Sequence, residues 1–417
     1  MAEQAKVPAI RFAGFTDPWE QRKFGDCFEF LKSNTLSRAG LNGENGTARN
    51  VHYGDILIKF GDCLDGERSD LPFITDDTVL PKFAGSILRE GDVIFADTAE
   101  DEAAGKCVEL RKLPKEPTIS GLHTIPARPR FFFGTGYLGH YLNSDAYHRQ
   151  LLPLMQGIKV ISVSKAALQD TQVRFPGLSE QAAIGAALSE IDNLITLHQR
   201  KYDKLVIFKK SMLEKMFPKD GESVPEIRFA GFTDPWEQRK LGDVTDSFSG
   251  GTPDVSHTSY YGGSIPFIRS AEINSDKTEL FLTEKGLDNS SAKIVERGTV
   301  LYALYGATSG EVGIAAIKGA INQAILALSP HTGNDPLFLA SWLRREKARI
   351  VDTYLQGGQG NLSGSIVKEL SFALPQQKEQ QVIGSFFSRL DNLITLHQRK
   401  LELLQNIKKS LLDKMFV

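Results

Sequence analysis

The chain has 417 residues, of which 41% are apolar and 24% charged, and its formal net charge is −2. A single hydrophobic core usually stops growing at roughly 250 to 300 residues, so we expect at least two domains. The near-neutral charge excludes the strongly basic composition of many autonomous nucleic-acid-binding domains, although it is compatible with local basic patches. No run approaches the ~18 apolar residues that cross a bilayer, and the first residues lack the apolar segment of a signal peptide. We therefore expect a cytoplasmic protein without a membrane segment.

Two segments of the sequence occur twice. The first reads VPAIRFAGFTDPWEQRKFGD at 7–26 and VPEIRFAGFTDPWEQRKLGD at 224–243, with 18 of 20 positions identical, and we call these copies the lead-in segments. The second, DNLITLHQRK, is identical at 192–201 and 391–400. Each half of the chain thus carries a lead-in, a divergent stretch and the second repeat, which predicts two related half-chains. The boundaries that follow are a lead-in at 1–26, a domain at 27–175 and a helix at 176–217, then a linker with the second lead-in at 218–243, a domain at 244–374 and a helix at 375–417.

The second repeat lies within a long amphipathic pattern in each half. Its apolar residues recur at alternating steps of four and three, the heptad spacing of a coiled coil. We call these positions the seam: Ile184, Leu188, Ile191, Ile195, His198, Tyr202 and Leu205 in the first helix, and Ile383, Phe387, Leu390, Ile394, His397, Leu401 and Leu404 in the second. A helix of about 38 residues is roughly 57 Å long and needs a partner for its apolar face. We expect the seams to pair in an antiparallel coiled coil with pseudo-twofold symmetry, which separates the two divergent domains.

Two histidines, His198 and His397, occupy seam positions. One interpretation is a polar layer that fixes helix register, as a buried asparagine does in some coiled coils. The other is a pH switch or a pair of metal ligands. We favour the polar layer and predict no metal site.

Short β-type runs alternate with turn signals in both divergent domains. They are GDILIKF, GDVIFAD and CVELRKL in the first, and SIPFIRS, GTVLYALYG, GEVGIAAIKG and NQAILALSP in the second. A helix-like stretch closes each domain, at 137–155 and at 336–355. GDVIFAD of the first half parallels GTVLYAL of the second, and LMQG ending at Gly157 parallels YLQG ending at Gly357. The pattern predicts mixed α/β domains with strands first and helices last.

Motifs for catalysis or cofactor binding do not stand out. Gly134, Gly136 and Gly139 satisfy G-x-G-x-x-G, but no acidic residue ends a second strand about 20 residues later, so we predict a turn into a helix. The acidic run at 97–102 could hold a metal ion, but it is more typical of a solvated loop. The cysteines are three in number and widely spaced, which predicts neither a disulfide framework nor a zinc site. A binding role is therefore favoured over an enzyme.

Four segments carry a resemblance to a known family. They are EQAAIGAALSEIDNLITLHQRKYDKLVIFKKSMLEKMF from Glu180, EQQVIGSFFSRLDNLITLHQRKLELLQNIKKSLLDKMF from Glu379, RFAGFTDPWEQRKLGD in the lead-in, and SGGTPD from Ser249. With these segments the chain closely resembles the specificity (S) subunit of type I restriction-modification systems. The resemblance covers essentially the whole chain, and the repeated motifs recur in the expected order.

This resemblance implies a non-catalytic DNA-recognition and scaffold subunit. In that family the divergent segments are target recognition domains, and each reads one half of a bipartite, asymmetric site in double-stranded DNA. The constant helices set the spacing of the half-sites and bind two methyltransferase (M) subunits, which hold S-adenosylmethionine and methylate adenine. Restriction (R) subunits, which use ATP and Mg²⁺, join the full complex. No cofactor bound by this chain is implied.

Candidate DNA contacts follow from loop chemistry. In the second domain, Tyr305, Thr308 and Ser309 lie in the Gly-rich loop LYGATSGE, while Gln359 and Asn361 in GGQGNLSG carry amides that can pair with adenine edges. The other candidates are Arg269, Arg344, Arg345, Lys347 and Arg349 in the second domain, and Lys59, Arg128, Arg130, Gln156 and Lys159 in the first.

These candidates would have different roles. Arg269 would read guanine, whereas the cluster at 344–349 would grip phosphate, which positions a protein without specifying sequence. The first domain has the acidic run at 97–102 where the second has its Gly-rich loop. That run could accept from a cytosine amino group or face solvent, and we favour solvent. At each candidate position an ordinary turn or surface charge is an equal alternative.

Two alternatives belong to other classes of protein. One is a fused restriction or methyltransferase enzyme with an unrecognised active site, which incubation of the chain alone with Mg²⁺, S-adenosylmethionine and DNA would reveal. The other is an interaction scaffold with no DNA role, which sequence-selective, salt-dependent DNA binding would exclude.

The aromatic residues of the lead-in segments suggest a structural role. We predict that they dock each lead-in against the long helices or its own domain. They are Phe12, Phe15 and Trp19 in the first copy and Phe229, Phe232 and Trp236 in the second.

Overall fold

A computed structural model describes residues 7–67, 70–355 and 361–417 of the chain. The chain forms two compact units. Unit 1 comprises the described residues up to Gln199 together with Arg399–Val417, and unit 2 comprises those of Arg200–Gln398. Both units combine strands and helices, so the predicted mixed α/β fold class is confirmed.

Unit 1 contains two main sheets. Its strands are β1 (Glu20–Lys23), β2 (Phe28–Phe30), β3 (Leu41–Asn42), β4 (Arg49–Val51), β5 (Cys63–Asp65), β6 (Phe73–Ile74), β7 (Val93–Ala96), β8 (Thr98–Ala99), β9 (Cys107–Arg111), β10 (Thr118–Ser120), β11 (Thr124–Pro129), β12 (Ile161–Ser162) and β13 (Gln172–Phe175). Its helices are α1 (Phe24–Cys27), α2 (Tyr53–Ile58), α3 (Tyr137–Asn143), α4 (Asp145–His148) and α5 (Lys165–Asp170), followed by the long helix α6 (Leu178–Lys215). The sheet orders are β2-β11-β7-β9-β5 and β10-β4-β6-β3. Strand β7 is buried along its whole length and shares a core with α3.

Unit 2 repeats much of this arrangement. Its strands are β14 (Glu237–Lys240), β15 (Thr245–Ser249), β16 (Tyr261–Ile268), β17 (Phe281–Leu282), β18 (Lys293–Val295), β19 (Val300–Ala303), β20 (Val312–Ile314), β21 (Gly319–Ile321), β22 (Ile325–Pro330) and β23 (Ser371–Leu374). Its helices are α7 (Leu241–Val244), α8 (Glu284–Asp288), α9 (Pro336–Leu355) and α10 (Gly364–Glu369), followed by the long helix α11 (Gln377–Met415). The sheets run β15-β22-β19-β20 and β17-β16-β21-β18.

The order β2-β11-β7-β9 in unit 1 therefore has the same connections as β15-β22-β19-β20 in unit 2. Both lead-in segments end in a short strand that pairs antiparallel with the strand just before a long helix, β1 with β13 and β14 with β23. The predicted parallel between GDVIFAD and GTVLYAL corresponds to the equivalent central strands β7 and β19. YLQG ends at Gly357, outside the described residues.

The two long helices pair antiparallel within each unit, as predicted. In unit 1, Ile184 of α6 shares a core with Phe416, which follows α11, and further along α6 Asp192 contacts Lys408. Residue numbers rise along α6 as they fall along α11. All fourteen seam residues, His198 and His397 included, are buried or half-buried. No helix in the described ranges is long and apolar enough to cross a membrane.

Two predicted elements differ in the structure. GDILIKF forms helix α2 rather than a strand, because the His52 side chain caps it by accepting from the Gly54 backbone N–H. Ile56 is fully buried and Ile58 is 90% exposed, although in a strand the two would share one face. The stretch 137–155 is broken into α3, α4 and a short 3₁₀ turn, because the backbone of Ser144 is extended.

Candidate nucleic-acid interface

The two Gly-rich loops of unit 2 meet in the structure. Tyr305 forms an isolated antiparallel bridge with Asn361. The backbone N–H of Leu362 donates to the carbonyl of Leu304 at 2.9 Å, and both leucines are buried beneath the bridge. Two separately predicted candidates therefore lie side by side. The third, Gln359, lies outside the described residues.

Two residues that the sequence reasoning missed complete this site. The Thr252 hydroxyl donates to the side-chain oxygen of Gln323 at 2.6 Å, and Gln323 also acts on the Tyr305 phenol, whose pKa burial raises and Gln323 lowers. We call Thr252, Tyr305, Gln323 and Asn361 the polar cluster of unit 2. Its sequence signal was the motif SGGTPD, which contains Thr252 and was noted only for its resemblance.

Thr308 and Ser309 belong to the turn that follows Tyr305. The Ser309 backbone N–H donates to the Gly306 carbonyl at 3.1 Å, and that of Glu311 donates to the Thr308 carbonyl at 2.9 Å. Gly306 has a φ of 85°, which favours glycine. These two candidates shape the loop through their backbones, while their side chains are half-buried.

The predicted phosphate-gripping cluster on α9 is neutralised by carboxylates. Its partners are Asp391 for Arg344, Glu346 for Arg345, Glu311 for Lys347, and both Glu346 and Asp220 for Arg349. Glu346 is 5% exposed, so its negative charge needs these cations. The cluster therefore secures α9 to its surroundings, and gripping phosphate would require these ion pairs to open.

Arg269 is held in a similar way. Its guanidinium lies 2.8 Å from Glu272 and 2.8 Å from Glu279. Burial acts to raise the pKa of Glu272, but the hydrogen bonds from Arg269 outweigh it and hold that pKa at about 2. In this arrangement Arg269 is engaged by protein carboxylates rather than open to guanine.

Unit 1 builds a different surface at the corresponding place. Strand β8, in the acidic run, pairs with β12, and Gln156 pairs with Ser162 of β12. The Asp97 carboxylate lies 3.4 Å from the His123 ring. Leu122 stands two residues before β11, where Gln323 stands before β22, so unit 1 has no amide at that position. The two units therefore present different chemistry from equivalent loops.

The predicted cations of unit 1 fall into two groups. Arg128 binds Asp92, which is 1% exposed, at 2.7 Å, and Lys59 lies 3.2 Å from Asp70. Arg130 is exposed and donates to the Phe28 carbonyl at 3.2 Å. Lys159 is exposed and has no ion-pair partner among the described residues. Of these four predicted cations, Lys59 and Arg128 are therefore paired with carboxylates, whereas Lys159 and Arg130 are exposed.

Each lead-in segment connects the start of one long helix to the end of the other. In unit 1, Arg11 binds Glu180 of α6 at 2.6 Å, and the Ile10 backbone N–H donates to the carbonyl of Lys414 in α11 at 3.0 Å. Glu180 is 2% exposed. The last carbonyls of a helix have no partner within it, so the Ile10 bond also caps α11.

In unit 2 the second lead-in segment makes the same two contacts, but its arginine binds the start of α11 and its backbone caps the end of α6. Arg228 binds Glu379 of α11 at 2.7 Å, and the Ile227 N–H donates to the carbonyl of Lys215 in α6 at 2.8 Å. The repeated lead-in sequence thus produces repeated contacts.

The lead-in tryptophans pack as the docking hypothesis expects. Trp19 lies edge-on to Tyr137 and Phe416, and Trp236 lies edge-on to Phe217 and Phe338. The phenylalanines contribute less evenly. Phe229 contacts the Phe386 ring. Phe15 and Phe232 are half-buried, whereas Phe12 is exposed.

A buried charge network in unit 1 lies beside α6. Asp62, His140 and Asp192 are close enough together to suggest a metal site. However, the Lys408 ammonium lies 2.6 Å from Asp62 and 2.5 Å from Asp192, so it takes the place of a cation. The network is therefore a set of ion pairs within the protein.

His140 is the cationic partner that the sequence did not reveal. Its two ring nitrogens face the Gly136 carbonyl and, at 2.9 Å, Asp192, an arrangement that only a doubly protonated imidazole satisfies. Burial lowers the pKa of His140, but its hydrogen bond to Asp192 and the nearby Cys63 and Asp62 raise it to about 10.

Unit 2 has an open cavity of about 350 Å³ in the corresponding region. Ser341 occupies the position of His140. Equivalent hydrogen bonds at the helix starts show this, because Gln181 accepts from the Gly134 N–H and Gln380 accepts from the Asp335 N–H. Gly134 lies six residues before His140, and Asp335 lies six residues before Ser341. The equivalent carboxylate is Asp391, which binds Arg344 and Lys209.

Comparison with known families supports a DNA specificity role. Residues 233–406 match the family described as type I restriction modification DNA specificity domain. The resemblance to type I specificity subunits that the repeated segments carry is therefore confirmed. The curated relatives that match are named specificity subunits, the role that the resemblance implies.

Some similar proteins match nearly the whole chain, and others match only part of it. A protein of Methanocaldococcus jannaschii, provisionally named the type I restriction enzyme MjaX specificity subunit, is 23% identical over 411 residues, which are 95% of this chain and 92% of that protein. The MjaIX specificity subunit of the same organism is 28% identical over 193 residues, 44% of each chain. The crystal structure of a type I restriction-modification S subunit from M. genitalium shares the fold, with a TM-score of 0.64, 14% identity and 99% of both chains covered.

Proposed function

We propose that this chain, whose residues 233–406 are a type I restriction modification DNA specificity domain, is the DNA-recognition and scaffold subunit of a type I restriction-modification complex. Each unit reads one half of a bipartite, asymmetric target in double-stranded DNA. One observation carries the proposal: the units repeat their frame and lead-in anchors but differ at the loops that carry exposed polar groups. Gln323 and Tyr305 of unit 2 correspond to Leu122 and Thr98 of unit 1.

The asymmetry of the target follows from this difference. Base edges in the major groove are distinguished by their pattern of hydrogen-bond donors and acceptors. An amide and a phenol in one unit, and a leucine and a threonine in the other, cannot match the same pattern. Two related frames with different loops therefore suit two different half-sites.

The long helices bind two methyltransferase subunits in this proposal. Apolar side chains at equivalent positions of the two long helices are exposed: Leu197 in unit 1 matches Leu396 in unit 2, and Ile407 in unit 1 matches Phe208 in unit 2. Exposed apolar groups that recur at fixed positions of a helix favour a partner surface. Because each unit has one such set, two equal partners are expected, and the helices set the spacing between half-sites.

The chemistry lies with the partners. S-adenosylmethionine is held by the M subunits, which methylate adenine, and ATP and Mg²⁺ act in the R subunits when these join. The chain itself contributes recognition and assembly, and the complex works in the cytoplasm.

Reconstitution tests the recognition role. The chain is combined with its M subunits, and methylated adenines in a random DNA library are sequenced. We expect one bipartite, asymmetric site, and no methylation by the chain alone or by M alone. Site-specific methylation by the chain alone would instead support the fused-enzyme alternative, and methylation without sequence preference would reject recognition.

Subunit counting tests the scaffold role. Leu197→Glu is expected to leave one M subunit bound, and Leu197→Glu with Leu396→Glu none, as measured by native mass spectrometry. Thr196→Glu and Thr395→Glu, at exposed neighbouring positions, are the matched controls. Two M subunits retained by the double leucine variant would reject this surface.

A further inference from the structure

Gln323 projects from a turn whose backbone is fixed on both sides. The turn joins β21 to β22, and Gln323 is exposed there. The Asn322 side-chain oxygen accepts from the Ala324 N–H at 3.2 Å, and the Ala324 carbonyl accepts from the Leu304 N–H at 2.8 Å. An exposed side chain is thus carried on a rigid support.

The Gln323 side chain is itself held by a hydrogen bond to its oxygen. Thr252 donates to its oxygen at 2.6 Å, and the side chain also acts on the Tyr305 phenol, whose pKa burial raises and Gln323 lowers. A primary amide has two N–H donors and an oxygen with two lone pairs. At least one donor and one acceptor therefore stay available, side by side, for a ligand. Exchanging the oxygen and nitrogen would leave the same pair available, because the Thr252 hydroxyl can donate or accept.

Close packing places Thr252 beside Gln323. A Cβ on Gly250 would overlap the Ile321 carbonyl oxygen, and one on Gly251 would lie 2.6 Å from the Ser291 side chain. Only glycine lets the SGGTPD segment approach the end of β21 this closely. The segment is thereby set where its next residue, Thr252, reaches the amide.

We propose that Gln323 is a specificity-determining residue of unit 2 and reads an adenine, donating to N7 and accepting from the N6 amino group. A glutamine amide matches this major-groove edge in a bidentate manner, whereas guanine offers two acceptors there. The hydrogen bond from Thr252 reduces the conformational entropy that Gln323 loses on binding. This inference rests on the proposed function of the chain.

Sequencing of methylated sites tests the inference. The complex with M subunits is prepared with wild-type chain, with Gln323→Ala and with Gln323→Glu, and methylated positions in a random library are mapped. Gln323→Ala is expected to lower discrimination at one base pair of one half-site by about 5- to 150-fold, the range for loss of a bidentate base contact. Gln323→Glu replaces the donor with an acceptor, so preference at that position should move toward cytosine, whose amino group a carboxylate accepts.

Controls separate base reading from folding. Gln238→Ala removes an exposed glutamine from the lead-in of the same unit and should leave the site unchanged. Asn361→Ala should relax a position in the same half-site as Gln323→Ala, because Asn361 neighbours Tyr305. Melting temperatures of all variants should equal that of the wild type, since the three side chains are exposed.

The outcomes distinguish this inference from the proposed function. A wild-type complex without a sequence-specific product would reject the proposed function. A wild-type complex with a bipartite site that both Gln323 variants recognise with the same strictness would reject the inference alone, and Gln323 would then be only a brace of the loop. Methylation lost at every sequence by folded Gln323→Ala, with M subunits still bound, would also reject a single-base role.

Discussion

Units 1 and 2 solve the same packing problem with different side chains. Behind the central strand β7, unit 1 has His140 and Glu109. The Glu109 carboxylate accepts from the N–H groups of two glycines at 2.6 and 2.9 Å. Unit 2 has Ser341 and Ile314 at these places and retains a cavity of about 350 Å³. The lead-in segments and long helices are arranged alike in both units because these repeated sequences make the same contacts in each. The space enclosed by the divergent segments is filled independently in each unit.

The ion pairs of the long helices show the same division. In both units the repeated aspartate, Asp192 or Asp391, binds a repeated lysine of the other long helix, Lys408 or Lys209. The second cation comes from the divergent domain, and it differs: His140 in unit 1 and Arg344 in unit 2. Unit 1 thus uses a titratable cation and unit 2 a permanent one, from different positions, and the repeated aspartate is paired in both.

The lead-in tryptophans give the largest expected difference between units. Trp236 is 3% exposed and Trp19 is half-buried, so Trp236→Ala should lower the free energy of unfolding by about 3–5 kcal/mol and Trp19→Ala by less. Denaturant unfolding measures both losses. Trp236→Phe is the control, since it keeps a ring and removes an indole N–H that finds no acceptor in the described part of the chain. Neither variant should change the methylated sequence, and a changed site would show that the lead-in takes part in recognition.

The lead-in arginines should give equal effects in the two units. Arg11→Met and Arg228→Met each leave a carboxylate that is almost fully buried, Glu180 or Glu379, without its cation, at a cost of about 3 kcal/mol. Arg239→Met, which breaks an exposed pair with Glu237, should cost less than about 1 kcal/mol. Thermal or denaturant unfolding provides the comparison. Clearly unequal losses for Arg11 and Arg228 would mean that the repeated anchors are not equivalent.

The pH dependence of stability should distinguish unit 1. A pKa of His140 raised to about 10 means that its contribution is complete below the unfolded value near 6.5 and is lost as the pH rises through the folded value. Between these limits the loss amounts to at most about 1.4 kcal/mol per pH unit. The titratable groups that act on the ring are Asp192, Asp62, Cys63 and Glu109.

Unfolding free energies of wild type and His140→Gln at several pH values between neutral and alkaline test this. The wild type should lose stability more steeply than the variant. Parallel curves would show that His140 is neutral in the folded protein.

The smallest expected effect concerns phosphate contacts. Lys159 of unit 1 is exposed, whereas Arg349 of unit 2 is bound by two carboxylates. Lys159→Ala should lower DNA affinity a few-fold and reduce the slope of log K against log salt by about 0.9, the value for one phosphate contact. Arg349→Ala should leave the slope nearly unchanged. Fluorescence anisotropy of the assembled complex over a salt series measures both, and a larger change for Arg349 would reverse the assignment.

The sequence predicted what depends on local periodicity and repetition. Seam residues such as Leu188 and Leu390 are buried because heptad spacing places them on one helix face. Helix α2 was missed because a short apolar run cannot be assigned by period alone, and the His52 cap decided it.

Local sequence patterns were less informative where distant residues set the surroundings of a side chain. Arg344 has the spacing of a phosphate contact, but Asp391, 47 positions away, binds it. Gln323 is held by Thr252, which lies 71 positions away in the sequence. The close approach of Gly250 to Ile321 that brings Thr252 there cannot be read from a local sequence pattern. Charge neutralisation and side-chain orientation are set by tertiary packing, so the candidate site was only partly predictable.

The position of Phe416 has a consequence for synthesis of the protein. This ring packs against Trp19, Tyr137 and Tyr141, so the core of unit 1 joins residues that are synthesised before unit 2 to a residue that is synthesised after it. Unit 2, within Arg200–Gln398, has all its partners once that stretch has emerged. Domains that begin synthesis first usually fold first, but contacts of large sequence separation form slowly. Unit 2 can therefore complete its folding before unit 1. The aromatic core of unit 1 is complete only after Phe416, which follows α11, has been synthesised.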